Sequence, residues 1–220
     1  MIEIIHEEAS HLRPAQMAAI DNLRSNVEEG AGLFRLTAKS PIAQDFAGAR
    51  YCYLIMYEEG EVVGAVTVMR ADQSTASASD HFSFMKQFRK FPFGADVLDI
   101  VEFIVTYPGS DKSVLVRRMN ELLRALYEFA VEERSEFFIS IIKAPFFSTL
   151  LSNGLPVHAM SFPIKIDGEF VISVQIPVRG TELQTLRRLT GADTCRSEGH
   201  DIPVPPVRRE PGYDALRIVH

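Results

Sequence analysis

VLDIVEFIVT, residues Val97–Thr106, sets two carboxylates, Asp99 and Glu102, three positions apart in a run otherwise built from Val, Leu, Ile, Phe and a closing Thr. The β-branched and aromatic content predicts a buried strand. On a regular strand, side chains alternate between two faces. Asp99 then sides with Val97, Val101, Phe103 and Val105, and Glu102 with Leu98, Ile100 and Ile104, so each apolar face carries one acid. A carboxylate taken out of water is strongly penalised unless it is paired, hydrogen-bonded or protonated. Two readings follow. Either the acids pair with a nearby cation (Arg24, Arg50 or Arg70) and hold the fold together, or the strand opens onto a cleft where an acid does chemistry. A bulge in the strand would aim both acids into one cleft.

The flanking sequence builds a sheet around this strand. Downstream, Leu115, Met119, Leu122, Leu123, Leu126 and Phe129 follow helical spacing, which predicts a helix over residues 114–133 with Asp111 or Ser113 as N-cap. FFISIIK comes next as a second buried strand, completing a β-α-β unit. Upstream, RYCYLIMY and EVVGAVTVM are joined by EEG, a hairpin with a glycine in its turn. A helix over residues 14–27 precedes them, with Pro14 in its first turn. Residues 30–50 are rich in Gly, Ala and Ser and read as a surface loop.

RADQSTASASD is small and polar, and HFSFMKQFRKFPFG concentrates Phe82, Phe84, Phe88, Phe91 and Phe93. APFFSTLLSNGLP predicts a short helix stopped at Asn153-Gly154. HAMSFPIKI and EFVISVQIPV form a second hairpin around DG, and TELQTLRRLTG a last short helix. The expected class is α/β, a mixed sheet with helices on both faces, as one domain over residues 1–180. Residues 181–220 carry the short helix and a Pro-rich tail (IPVPPVRREPG) able to lie on the surface or on a neighbouring subunit.

Composition narrows the function. The net charge of -6 and the lack of a basic run argue against nucleic-acid binding. No apolar run reaches the roughly 18 residues of a membrane span, so no span is expected. Two cysteines, Cys52 and Cys195, give neither a metal spacing nor a disulfide framework, and the expected compartment is a reducing cytoplasm. The six histidines are scattered without ligand spacing, so no metal is expected.

These elements and residues resemble the GNAT-like acyltransferase fold, a three-layer α/β/α arrangement around a central mixed sheet. More narrowly, they resemble the acyl-homoserine-lactone (autoinducer) synthase family, over residues 23–178. The family's helical Arg falls on Arg24 of LRSNVE, and its acids before a Tyr-Leu strand fall on Asp45, ahead of Tyr53-Leu54. Its Val-Val-Gly falls on Val62, Val63 and Gly64, with Thr67 where the family carries an Arg. Its Glu-x-x-Arg-Phe motif falls on Asp99, Glu102 and Phe103, with Glu102 in the place of the Arg. The Phe-rich segment and the Gly-Leu-Pro turn before the closing hairpin are matched as well.

The resemblance implies acyl transfer from an acyl-carrier-protein or acyl-CoA thioester to the amine of a small molecule, S-adenosylmethionine or an amino acid, in autoinducer synthesis for quorum sensing. Both donors are co-substrates, and no permanently bound cofactor is implied. Amide formation needs a base for the attacking amine, and Asp99, Glu102 and Asp45 are the candidates. Arg24, Thr67, Phe82, Phe84, Phe103, Val105, Ser140 and Ile142 are the candidate substrate contacts. A V between the strand of Asp99 and that of Ser140 is expected to admit the thioester arm. Ser110, Lys112 and Ser113, at the start of the long helix, are the candidate holders of the phosphopantetheine phosphate. Arg117, Arg118 and Arg124 either meet an acidic carrier protein or form a solvated face. The alternative is a fold relative that has lost catalysis and binds a ligand or a protein partner.

Overall fold

The computed structural model describes residues 2–28, 33–35, 51–73, 94–107, 111–166 and 168–192. Along the chain these form β1 (Ile2–Glu8), α1 (Pro14–Glu28), β2 (Leu33–Arg35), β3 (Tyr51–Glu58), β4 (Glu61–Arg70), β5 (Val97–Thr106), α2 (Lys112–Glu132), β6 (Phe137–Lys143), α3 (Ala144–Ser152), β7 (His158–Ala159), β8 (Ile164–Ile166), β9 (Glu169–Pro177) and α4 (Gly180–Thr190). Local chemistry fixes several boundaries. Glu59 and Gly60 turn the β3–β4 hairpin with φ of 55° and 87°, the left-handed pair that matches strand twist. Asp111 caps α2, its Oδ1 accepting from the Ser113 amide at 2.9 Å. α3 stops at Gly154, φ 78°.

The nine strands of the described residues form one mixed sheet in the order β1-β3-β4-β5-β6-β9-β7, with β2 added to β5 and β8 to β9. All neighbours are antiparallel except β5 and β6, the ends of the β-α-β unit. α1 covers one face through Ile20 and Leu23, which pack on Tyr53, Ile55, Ala65 and Ile104. The other face carries the main core. Leu54, Val66, Ile100, Phe103 and Val105 meet Leu122 and Leu126 of α2, Leu150 of α3, and Leu183 and Leu186 of α4. This is the expected α/β/α layering with a central mixed sheet.

β5 and β6 pair at only three positions, Val97 to Phe137, Leu98 to Phe138 and Asp99 to Ile139. Beyond Asp99 the two strands part, as the sequence resemblance implied. β2 then pairs with the far end of β5 across residues 104–106. Residues 100–103 lie between those two pairings, and there the Ile100 carbonyl accepts from Ser140 Oγ at 2.9 Å.

Three details differ from the sequence reading. IEIIHEE, to which the sequence reading assigns no element, is a strand; it pairs with β3 over its whole length, because its hydrophobic pattern suits a half-buried edge. Leu33–Arg35, expected in a loop, is a strand, because the parting of β5 and β6 leaves backbone groups on β5 that need a partner. HAMSFPIKI is two short strands, since Pro163 cannot donate to a ladder and breaks the run. The Phe82–Phe93 segment and the Pro-rich tail lie outside the described residues. Among those described, no helix is long and apolar enough to cross a membrane.

The exit of β3 is clamped to α2 and to the end of β5. Arg118, buried, donates to the Glu58 carboxylate through Nε at 2.9 Å and also through Nη2. Its Nη1 donates to the Thr106 carbonyl at 2.6 Å, and Arg117 donates to Glu58 Oε1 at 2.6 Å. Burial acts to raise the Glu58 pKa, but hydrogen bonds and charge from Arg117 and Arg118 outweigh it and hold the carboxyl below its usual range. The folded-state pKa is depressed, so this contribution is present above the unfolded-state value and lost as pH falls through the folded one. Glu58→Gln is therefore expected to lower the Tm at pH 7. The gap to wild type should close below about pH 4. A gap that persists at pH 3 would mean that packing, not charge, carries the clamp.

Candidate active site

The strand pairing answers the question posed by Asp99 and Glu102. On β4, Thr67 pairs with Glu102 but Val68 pairs with Ile100, so Val101 is an extra residue, a bulge on β5. Met69 pairs with Asp99. Thr67 and Met69 are two apart and share a face, so their partners do too. One inserted residue thus moves Glu102 onto the face of Asp99, with Ile104, and moves Phe103 and Val105 onto the face of Leu98 and Ile100. Both acids look toward the α1 side of the sheet, and both are buried, Asp99 at 7% and Glu102 at 4% exposure.

Glu102 has a committed cation. Arg24, one turn before the end of α1, donates through Nε to Glu102 Oε2 at 2.8 Å and through Nη1 to Asp21 Oδ1 at 2.8 Å. Tyr53 of β3 also bonds the Arg24 side chain. Burial by itself would lower the Arg24 pKa, but the Glu102 charge and these bonds override it and raise it above the ordinary arginine value. Of the cations considered from sequence, Arg24 meets Glu102, and Arg50 lies outside the described residues.

Around the acids sit Tyr51 and Tyr53 of β3 and Thr67 of β4. Burial, and then the nearby charges of Tyr53 and Asp99, push the Tyr51 phenol upward, so it stays protonated at neutral pH. Thr67 lies between Tyr53 and Glu102 in the register and is 2% exposed. Its Oγ1 has no hydrogen-bond partner among the described residues. A buried hydroxyl without a partner is costly. Sequence reasoning passed over the two tyrosines and Asp21. The alternation of YCYLIMY already puts Tyr51, Tyr53 and Ile55 on one face, and Asp21 is one helical turn from Arg24.

Asp99 occupies the last pair before β5 and β6 part. Just past it, Ser140 Oγ donates to the Ile100 carbonyl at 2.9 Å and bridges the mouth of the split. Beside Asp99, Val97, Ile139, Met160 and Ala71 form a small apolar cluster with Ile141 and Phe137 at its margin. The remaining expected substrate contacts are elsewhere. Phe103, Val105 and Ile142 are fully buried in the core under α2, on the face away from the acids. Phe82, Phe84, Asp45 and Ser110 lie outside the described residues.

At the start of α2, Asp111 Oδ1 already accepts from the amides of Ser113 (2.9 Å) and Val114 (3.4 Å) and from Ser113 Oγ (2.6 Å). Lys112 is exposed beside it. The three helix arginines are engaged: Arg117 and Arg118 with Glu58, and Arg124 with Glu121 and Glu128. No cluster of three or more His, Cys, Asp or Glu able to hold a metal occurs among the described residues.

The buried pair gives a direct prediction. Removing one member of such a pair leaves a charge without compensation, whereas replacing both with apolar groups is often close to neutral. Arg24→Met is expected to cost about 3 kcal/mol in urea denaturation. Arg24→Met combined with Glu102→Leu should recover most of that loss. An Arg24→Met protein as stable as wild type would show that Glu102 does not depend on Arg24.

Neither family models nor curated proteins match this sequence. Solved structures do match its fold. The acyl-homoserine lactone synthase LasI aligns with a TM-score of 0.70 at 13% identity, over 84% of this chain and 94% of its own. The CoA-dependent acyl-homoserine lactone synthase BjaI, solved with SAM and isopentyl-CoA, aligns at 0.62 and 15% identity, over 87% and 89%. ElaA of Escherichia coli aligns at 0.52 and 16% identity, over 80% and 99%. At these identities the likeness establishes the fold, and this chain has the GNAT-like fold in the form that acyl-homoserine lactone synthases share.

Proposed function

We propose that this protein is an acyltransferase that moves a medium or long acyl group from a thioester to the amine of a small molecule. The observation that carries the proposal is the parting of β5 from β6 beside a buried acid. There, β5 pairs with β6 no further than Asp99 and with β2 from Ile104 onward, and the buried Asp99 carboxylate lies at the point of parting. A pantetheine arm has two amide groups and can pair along such an edge as a strand would. That brings the thioester carbonyl to the level of Asp99.

The two acids then divide the work. Glu102 is held charged and oriented by Arg24 and acts as a positioning residue. Asp99, at the mouth of the split, is the base. The amine nitrogen attacks the thioester carbonyl and forms the C–N bond. Its proton passes to Asp99, directly or through a water. The tetrahedral intermediate collapses with cleavage of the C–S bond, and the leaving thiolate takes up a proton to become the free thiol.

The acyl chain lies along Val97, Ile139, Ile141 and Met160, on the face of Asp99. Each buried methylene contributes about 0.8 kcal/mol, so six more than in acetyl give an upper bound of about 5 kcal/mol in favour of octanoyl. The donor is an acyl-carrier protein before acyl-CoA. The α2 amides that would cradle a pyrophosphate, and the Ser113 hydroxyl, are already bonded to the Asp111 carboxylate, which leaves Lys112 for a single phosphate.

The assay follows free thiol with acetyl, octanoyl and palmitoyl donors on coenzyme A and on a carrier protein. Octanoyl or palmitoyl carrier protein is expected to turn over best. Asp99→Asn should lower kcat by about 100-fold or more, with the KM for the donor kept. Acetyl-CoA used as well as the longer donors would refute the assignment of the apolar wall. Unchanged kcat in Asp99→Asn would remove Asp99 as the base. A protein that releases no thiol with any donor and amine is instead a binding relative of the fold.

A further inference from the structure

The strand FFISIIK is apolar at every position before Lys143 except Ser140. Ser140 pairs with Val174 and takes the side of Phe138 and Ile142, which belong to the core under α2. It is 1% exposed. A hydroxyl in such a place loses its water and gains one modest bond in return, whereas an alanine or valine would pack there without that cost. The bond it makes is specific in place. Oγ donates to the Ile100 carbonyl at 2.9 Å, one residue past the last β5–β6 pair, Asp99 to Ile139. Ile100 is also the last residue before the bulge, since it pairs with Val68 while Glu102 pairs with Thr67. The Ile100 carbonyl and the Val101 amide belong to one rigid peptide plane. A single side chain therefore holds the plane at which β5 both leaves β6 and inserts its extra residue.

Resting on the acyltransfer reading, we propose that Ser140 is a positioning residue for the reaction. Its hydroxyl pins the Ile100–Val101 peptide, fixes the point where the two strands part, and so sets how the thioester lies against Asp99. Ser140 acts through the backbone and not on the substrate, which differs from the direct contact expected from sequence. Without the bond the peptide is free to turn and the bulge to shift along β5, and Asp99 no longer meets the thioester at a fixed level. The rate of attack is steeply sensitive to such a displacement, about 100-fold for 1 Å. Donor binding, spread over the whole pantetheine arm and acyl chain, is far less sensitive.

The test uses the full chain, octanoyl carrier protein as donor, and S-adenosylmethionine or leucine as the amine, whichever supports the faster thiol release. Ser140→Ala is expected to lower kcat by about tenfold or more, with the KM for the donor within about twofold of wild type. Ser140→Thr keeps the hydroxyl and is expected to restore most of kcat. Amide hydrogen exchange gives a second readout that needs no activity. In Ser140→Ala, residues 99–102 should exchange about tenfold faster while the amides of α2 keep their protection. A kcat equal to wild type overturns the proposal even with a lowered Tm, since that is what a purely structural bond would give. A raised donor KM with kcat kept also overturns it and makes Ser140 a substrate contact. Unchanged exchange at residues 99–102 refutes the pin whatever the activity. A wild-type protein that releases no thiol with any donor and amine loses the acyltransfer reading, and exchange then decides whether Ser140 fixes the parting. Faster exchange confined to residues 99–102 upholds that, and its absence refutes it.

Discussion

One extra residue, Val101, sets most of what this structure does. A strand of regular pleat through Val97–Thr106 would bury Asp99 under one layer of helices and Glu102 under the other. The α2 face is a closed core in which Phe103, Val105, Leu122 and Leu126 are essentially without solvent exposure. A carboxylate placed there would sit among apolar side chains. The bulge removes that conflict by turning residues 102 onward over by one face, so both acids meet α1 and its Arg24. It also increases local twist, and β5 parts from β6 two residues earlier, after Asp99. Charge placement and strand parting are consequences of the same insertion.

Arg24 shows how the energetics of such a face are arranged. Taking an ion pair out of water is expensive, and the attraction within it compensates only when the remaining donors and acceptors are also met. Arg24 meets this condition through three partners, Glu102, Asp21 and Tyr53, while part of its side chain stays in contact with solvent. Glu102 is thereby fixed in place without being free to react. Asp99 stands two ladder pairs away, at the last pair before β5 and β6 part. Two carboxylates on one face thus meet different surroundings.

Much of the fold was legible in the sequence because it follows from period and punctuation. The long amphipathic helix starts two residues and ends one residue before the expected bounds, and Asp111 caps it as foreseen. The EEG hairpin, the β-α-β unit and the stop at Asn153-Gly154 rest on equally local signals. What escaped was non-local. Leu33–Arg35 is too short to carry a pattern and becomes a strand only because β5 has a vacant edge. β1 alternates imperfectly and gains its identity from pairing with β3. At the site, sequence spacing brought Asp99, Glu102 and Arg24 under suspicion, but their faces depended on a bulge that no single residue type announces. Phe103, Val105 and Ile142 seemed suited to an acyl chain for the same reason they are suited to a core, and composition cannot separate those uses.

The same distinction accounts for a fold kept while the residues at its acidic face are free to change. Layers of Val, Ile, Leu and Phe hold a sheet and its helices in place by volume and alternation, and many sequences satisfy that demand. The polar face is governed differently. A single exchange there alters the sign of charge that a substrate meets, and a neighbour must answer for the chain to fold. Glu102 is answered by Arg24, so the charge of an acid buried on this strand is met from the helix that covers it.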